Sequence, residues 1–375
     1  MKTKKLPLAY FPLEVYQARY TGMMSCEGGW MEKVLGSKFA LETIRPEQET
    51  VVIQSGEVLD SVQRPIYAMR QVIEYLTSTA SSVPVYVDDF FHPGIESLAY
   101  AKRKNPPLLY TYCWAQTFDR YDFTRDMPWM RAWEIMAVQH YAKIFVASPI
   151  LEDLILTALP SLEGKVHNVG LPFDSGDVLK VREQSKMTYP AYDVIYTSRM
   201  DSEKNFGFFC DIVEQLGGQY KFAVSTGHDE MRGTDTQGIL HAKDLVEKGK
   251  LVVYTNMTKP DYYALLSRSK VQFNCAQQDW VSFTLLEALT CGCIPVYPMF
   301  RDFVNVFSDS PEFLYSPLSL PDACARIRQA LADTNKLYTG WAGAFATEQL
   351  EYYDGSIGRM AEIMQDHISA NLYAR

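Results

Sequence analysis

The stretch of the chain richest in chemistry reads Cys275-Ala-Gln-Gln-Asp279-Trp-Val-Ser282-Phe283-Thr284-Leu-Leu-Glu287-Ala-Leu-Thr-Cys-Gly292-Cys-Ile-Pro295-Val296. An apolar run ends near Cys275, a loop follows, and an apolar helical pattern starts at Ser282–Phe283. Free N–H groups at a helix start favour a phosphate, so Ser282, Phe283 and Thr284 are candidates to hold one. Glu287 lies just over one turn inside that helix. A carboxylate there repels phosphate but accepts hydrogen bonds from sugar hydroxyls beside it. Asp279 stands eight positions before it. A second stretch, Asp193-Val-Ile-Tyr-Thr-Ser198-Arg199-Met-Asp-Ser-Glu-Lys204-Asn205-Phe-Gly207, sets an Arg and a Lys in a short loop between a strand pattern and a helix pattern. An Arg and a Lys in one loop can stabilise an anionic group electrostatically. Taken singly, Glu287 is an ordinary helix residue and Arg199 and Lys204 are surface charges.

The elements that position these residues alternate. In the first half, Leu8–Leu13, Phe39–Ile44, Val51–Gln54, Val83–Val87, Leu108–Tyr112, Ile144–Ala147 and Val166–Val169 read as strands. Trp30–Leu35, Pro65–Thr77, Ile95–Arg103, Pro128–Tyr141 and Ile150–Leu159 read as helices between them. In the second half the strands are Val194–Ser198, Lys221–Ser225, Leu251–Tyr254, Val271–Cys275 and Ile294–Tyr297. Phe206–Leu216, Pro260–Ser267, Phe283–Thr290 and Pro321–Ala332 are its helices. Such alternation predicts an α/β chain of two doubly wound, Rossmann-like domains, binding ligand at the carboxyl ends of their strands. The expected boundaries are 1–171 for the first domain, 172–190 for a Pro-, Gly- and charge-rich linker, and 191–341 for the second domain. Residues 342–375 read as a terminal helix crossing back to the first domain.

Composition narrows the function classes. The chain has 375 residues, 47% hydrophobic and 22% charged, which excludes a mostly disordered or fibrous protein. Lys+Arg 36 against Asp+Glu 45 gives a net charge of -9, which argues against a globally basic nucleic-acid binder. No stretch approaches the ~20 apolar residues of a spanning helix, and the start does not read as a signal peptide. A cytoplasmic protein without membrane insertion is the expectation. Seven scattered cysteines fit reduced thiols better than a disulfide framework. Cys291-Gly-Cys293 lacks a second pair at zinc spacing. Gly28-Gly29 before a helix pattern reads as a phosphate cradle or as a plain turn.

The 275–296 segment resembles the donor-site signature of retaining glycosyltransferases of the GT-B fold, a group that includes glycogen synthases and bacterial mannosyltransferases. That signature has two glutamates at the same spacing, a glycine at the helix start, Leu-Glu-Ala and a Gly-x-Pro-Val-type turn. Leu286-Glu287-Ala288 and Gly292-Cys-Ile-Pro295-Val296 match it, whereas Asp279 replaces the first glutamate and Ser282 the glycine. The 193–207 segment is similar to the group's strand–Arg–Lys–helix arrangement. The resemblance implies a nucleotide-sugar donor, most simply a UDP-sugar, and no metal. Arg199 and Lys204 would hold the diphosphate, with Asn205, Ser282, Phe283 and Thr284 beside it. Ser225, Asn256 and Met257 would lie in loops around the base. Glu287 would bind ribose or sugar hydroxyls, and Asp279 would orient the transferred sugar.

In the first half, His92 stands where relatives carry a histidine facing the sugar, and Cys113 stands where a second histidine is common. Asp88-Asp89 offers a rival metal-binding carboxylate pair of the other glycosyltransferase fold. The aromatic, Arg-bearing stretch Tyr10–Thr21 resembles openings of phage-type enzymes that glycosylate DNA bases. It points to a hydroxymethylated pyrimidine in DNA as acceptor, with Tyr16, Arg19, Tyr20 and Trp114 as the pocket for a flipped base. A second aromatic–basic run extends from Trp114 to Trp133. Glycan, lipid-linked and small-molecule acceptors are rivals. A sugar-nucleotide binding protein without catalysis and a nucleotide-sugar epimerase are the readings from other classes.

Overall fold

The computed structural model describes residues 5–13, 21–47, 64–78, 83–101, 105–277, 279–332 and 341–373. The expected strand Val51–Gln54 and the candidates Tyr16, Arg19 and Tyr20 lie outside them. The chain forms two compact units, residues 1–172 with 355–375, and residues 173–354.

Unit 1 contains β1 (Leu6–Phe11), α1 (Trp30–Lys38), β2 (Phe39–Thr43), α2 (Arg64–Ser78), β3 (Val85–Val87), α3 (Ile95–Ala101), β4 (Leu109–Tyr112), α4 (Pro128–Ala137), β5 (Lys143–Val146), α5 (Pro149–Ala158) and β6 (Val166–Asn168). Its strands pair in the order β2-β1-β3-β4-β5-β6, all parallel. The inner strands β3, β4 and β5 are almost wholly buried, which is why they appear in the sequence as apolar runs, whereas the edge strand β2 fully buries only Phe39. The order reverses between β1 and β3, so the loops after these two strands flank the switch point where open α/β sheets bind ligands. Gly28-Gly29 is a turn. Gly28 has φ 68°, and its N–H donates to Glu32 Oε2 at 2.7 Å. A Cβ on Gly29 would meet the Met24 carbonyl oxygen at 2.5 Å, so only glycine fits.

Unit 2 opens with α6 (Ser175–Arg182), in the segment expected to be a linker. Asp174 caps this helix by accepting from the Asp177 N–H at 2.8 Å, and Val178 is its fully buried side chain. The helix packs on α9 and α10. There follow β7 (Tyr192–Tyr196), α7 (Phe206–Leu216), β8 (Phe222–Ser225), α8 (Thr236–Glu247), β9 (Leu251–Tyr254), α9 (Lys259–Leu266), β10 (Ser269–Phe273), α10 (Phe283–Thr290), β11 (Ile294–Pro298), the short α11 (Phe303–Val306), β12 (Leu314–Tyr315), α12 (Leu320–Ala332) and α13 (Trp341–Asp354). The sheet order is β12-β11-β10-β7-β8-β9, all parallel, with its switch point between β7 and β10. Tyr196, Phe206, Phe209, Phe222, Phe273 and Tyr315 form a linked aromatic core beneath that point. Helices α7 and α8 meet at Gly207 and Gly238, where a Cβ on Gly238 would lie 2.8 Å from the Gly207 nitrogen.

The C-terminal helical pattern is two helices, broken at Gly355. The second, α14 (Ser356–Tyr373), belongs to unit 1. Ser356 Oγ donates to the Gly170 carbonyl at 2.7 Å, Arg359 Nη2 to that of Val169 at 2.6 Å, and Gln365 to that of Lys38 at 3.0 Å.

Under β1 and β3 lies a buried carboxylate. Asp88 accepts from Tyr10 at 3.2 Å, from Tyr86 at 3.4 Å and from Ser25. Burial pushes it up to about 6, against the hydrogen bonds of Ser25, the Leu13 backbone and Tyr10. Burial likewise pushes Glu134 up to about 7, against two hydrogen bonds from Thr117. Both groups bind a proton more tightly folded than unfolded. Their contribution is therefore complete below about pH 4 and is lost as pH rises to about 6 and about 7, on the order of 3 kcal/mol each. Thermal unfolding should shift to lower temperature between pH 4.5 and 7.5. Asp88→Asn should flatten the lower part of that slope, and an unchanged slope in the variant would refute the assignment.

Candidate active site

The loops after β7 and β10 are stitched together at the switch point. The Gln277 N–H donates to the Glu203 carbonyl at 3.0 Å, and Cys275 Sγ donates to the carbonyls of Lys204 at 3.4 Å and Asn205 at 3.3 Å. A 3₁₀ turn, Ser202–Lys204, carries Lys204 inward, and Asn205 takes the left-handed conformation at φ 54° to start α7. Lys204 Nζ forms an ion pair with Asp279 Oδ1, and both side chains are largely buried. Burial pushes the Asp279 carboxyl up, but the Lys204 ammonium and its hydrogen bond outweigh this and hold it below its usual value. Asn274 shapes the β10 loop as its Oδ1 accepts from the Ala276 N–H at 2.8 Å, while its Nδ2 lies 3.5 Å from Asp279 Oδ2. The structure thus brings together the two residues, 75 positions apart, that the sequence singled out.

Arg199 is in the same loop, with 48% of its side chain exposed, and it pairs with Asp201 at 2.7 Å and Glu203 at 2.6 Å. Its charge is partly compensated by its own loop, so Lys204 is the buried cation of the site.

Two features of α10 bear on the roles expected for its residues. Ser282 caps the helix, with its Oγ accepting from the Thr284 N–H at 3.2 Å and bonded to Thr284 Oγ1 at 2.6 Å. The Thr284 amide is therefore held by the cap and is not an open phosphate donor; an anion there would have to displace the serine oxygen. Glu287 is only 2% exposed. Its Oε1 accepts from Lys259 Nζ at 2.9 Å and Tyr263 at 3.0 Å, and its Oε2 from Tyr262 at 3.0 Å. Lys259, Tyr262 and Tyr263 were not anticipated as partners. The one signal in the sequence was their spacing on a single face of α9.

Ser225 Oγ donates to Met257 Sδ at 3.5 Å, bringing the loops after β8 and β9 together. Asn256 has φ 50°, and its N–H donates to the His228 carbonyl at 2.7 Å.

In unit 1, His92 is buried on the loop after β3, its ring 5.6 Å from that of Phe11. Gln71 Nε2 donates to the carbonyls of Pro12 at 2.9 Å and Ile44 at 3.2 Å, which leaves its oxygen to accept from His92 Nε2 at 3.0 Å. This network assigns the ring proton to Nε2. His92, Gln71 and Asp89 share a small recess with Phe11, Leu13 and Phe91. Asp89 Oδ1 accepts from the Phe91 N–H at 2.9 Å, and no group of three or more metal-binding side chains occurs among the described residues.

Trp114 is half-buried: its indole N–H donates to the Asp88 carbonyl at 2.7 Å, and its ring centre lies 4.2 Å from that of Tyr112. Arg131 stacks over Phe118 and Arg120 over Tyr121, so much of the aromatic–basic run is satisfied locally. Among the described residues no helix is long and apolar enough to cross a membrane.

No protein-family model and no curated protein matches the sequence. Solved structures do match. A sucrose-phosphate synthase (tll1590) from Thermosynechococcus elongatus aligns over 99% of this chain and 100% of its own, with TM-score 0.67 and 13% identity. The alpha,alpha-trehalose 6-phosphate synthase of Burkholderia multivorans aligns over 86% and 79%, with TM-score 0.62 and 13% identity. A trehalose-6-phosphate enzyme from E. coli, bound with UDP-2-fluoro glucose, aligns over 85% and 80%, with TM-score 0.59 and 12% identity. Two parallel sheets with flanking helices, one in each unit, and this likeness along the whole chain give the protein the GT-B fold.

Proposed function

We propose that the chain is a glycosyltransferase that moves a sugar from a nucleotide-sugar donor to a hydroxyl with retained configuration and without a metal. The observation that carries this reading is the Lys204–Asp279 pair at the switch point of the second sheet. A buried cation there can hold a diphosphate and stabilise it as it leaves, and the carboxylate beside it can orient the sugar. Glu287, one turn into α10, supplies the acceptor oxygens for ribose. The solved neighbours support a UDP-sugar, since one of them was bound with UDP-2-fluoro glucose.

For the acceptor, the local satisfaction of Trp114 and of the Arg120–Arg131 run weakens the hydroxymethylpyrimidine reading. A phosphorylated sugar is the second reading. It is supported by the structurally similar Burkholderia xenovorans synthase, which was in complex with glucose-6-phosphate.

A thermal-shift screen against nucleotide sugars tests the donor, because ligand at 100 times its Kd stabilises by about 2.7 kcal/mol. Labelled donor should then be offered with hydroxymethylated DNA, with sugar phosphates and with small alcohols. The label is expected to enter an acceptor, with the donor's anomeric configuration kept in the NMR spectrum and with undiminished rate in excess chelator. An inverted product rejects retention, and loss of activity to the chelator revives Asp88-Asp89 as a metal pair. Donor turnover without any acceptor would point to an epimerase, and tight binding without turnover to a binding protein.

A further inference from the structure

Trp280 follows Asp279 directly and is 7% exposed, yet its indole Nε1 is buried without a hydrogen-bond partner among the described residues. Buried indole N–H groups are almost always bonded, so an unbonded one in a loop at a ligand-binding sheet edge calls for an explanation. A second, independent feature lies against it. Arg301, in the loop after β11, stacks its guanidinium 4.1 Å from the centre of the Trp280 ring. Arg301 holds φ 52°, a left-handed conformation that non-glycine residues adopt at a cost and that clusters at ligand clamps. A strained residue from one loop therefore clamps an indole from the next, and the clamped group carries an unused donor.

We infer that Trp280 is a specificity-determining residue that donates its indole N–H to a hydroxyl oxygen of the transferred sugar, with Arg301 as the positioning residue that fixes the ring. The chemistry of the loop fits a sugar. Ionised Asp279 only accepts hydrogen bonds, whereas the Trp280 indole only donates. Adjacent residues of opposite hydrogen-bonding character suit neighbouring ring hydroxyls, each of which can give or receive. The indole gains its partner only when the sugar is present, so the donor's sugar, not its nucleotide, reads this residue. This inference rests on the donor-site reading above.

Trp280→Phe removes the N–H and keeps an aromatic ring for Arg301. The test measures the affinities of wild type, Trp280→Phe and Arg301→Met for UDP, UDP-glucose and UDP-galactose by calorimetry, together with melting temperature. In wild type one of the two sugars is expected to bind at least tenfold more tightly than the other. In Trp280→Phe that preference should fall to within about threefold, UDP affinity should stay within twofold, and the melting temperature should hold or rise because an unsatisfied buried donor has gone. Arg301→Met should lose part of the sugar preference and none of the UDP affinity. If Trp280→Phe keeps the sugar preference while its melting temperature falls, the indole is structural and the inference is overturned. Wild type that binds UDP without distinguishing the sugars overturns the inference and leaves the donor-site reading standing. Wild type that binds none of the three probes overturns both.

Discussion

Lys204→Ala is expected to lower kcat/KM for glycosyl transfer roughly 30- to 1000-fold, the ~2–4 kcal/mol lost when one preorganised charge-stabilising donor is removed. The effect should be mainly in kcat, because the charge on the diphosphate grows as the glycosidic bond breaks. The ion pair adds a second consequence. Lys204 is buried against Asp279, so its removal strands a carboxylate that burial alone would push up. Breaking a buried pair from one side typically costs about 3–5 kcal/mol of stability.

The pH dependence has a definite sign. The depressed carboxyl of Asp279 contributes stability above its unfolded value near 4 and loses it as pH falls through the folded value. Lys204→Ala should therefore be more destabilised at pH 7.5 than at pH 4, where the stranded acid can take a proton. Combining it with Asp279→Asn removes the stranded charge and should restore most of the melting temperature without restoring turnover. If Lys204→Ala turns over like wild type, the cation does not serve the diphosphate. If the double variant recovers activity along with stability, the pair is structural only.

The physical reasons for what the sequence did and did not reveal differ by residue. Strands β7, β8, β10 and β11 are largely buried, so each appears as a short apolar run, and α7 and α10 appear as apolar helical stretches because most of their residues are buried. The spacing of Asp279 and Glu287 is a local property, set by one loop and one helical turn, and was legible for that reason. Helix α8 was not, because it is polar on most of its surface. Its start depends on Asp235, which accepts from Gly238 of its own helix at 2.9 Å and from Gly207 of α7 at 2.8 Å. Only the fold reveals the second bond. Helix α6 was hidden by Pro172, Gly176 and Pro190 around it, although Asp174 at its start is a good capping residue. The partners of Glu287 come from α9, more than twenty positions upstream, and no periodicity connects the two elements. Trp114 was read as part of a pocket for a flipped base, and its hydrogen bond to a backbone carbonyl 26 positions away is visible only in the fold.

Glu287 should separate binding from structure most sharply. Hydrogen bonds to a charged acceptor contribute about 1.5–3 kcal/mol each, so losing two from ribose hydroxyls is expected to weaken donor binding by more than 100-fold. Glu287→Ala would also leave the hydroxyls of Tyr262 and Tyr263 buried without their acceptor, at ~1–3 kcal/mol apiece, and would lower stability as well. Glu287→Gln is the cleaner probe, since it keeps the shape and an accepting oxygen for α9 while removing the charge. Its melting temperature should fall less than that of Glu287→Ala, because the Lys259 ion pair is lost but an acceptor for Tyr263 remains, and its donor affinity should fall. A cycle with UDP and 2′-deoxy-UDP isolates the contact. Wild type should prefer the ribonucleotide at least tenfold, and Glu287→Gln should bind the two nearly alike, because the 2′-hydroxyl then has no carboxylate to meet. Glu287 is buried, so a ribose can reach it only by sharing or displacing a tyrosine hydroxyl. Tyr262→Phe should therefore retain the ribose preference or strengthen it. If Glu287→Gln keeps the full preference for ribose while its stability falls, Glu287 is an anchor for α9, and the ribose must be read by another residue of the β9 and β10 loops.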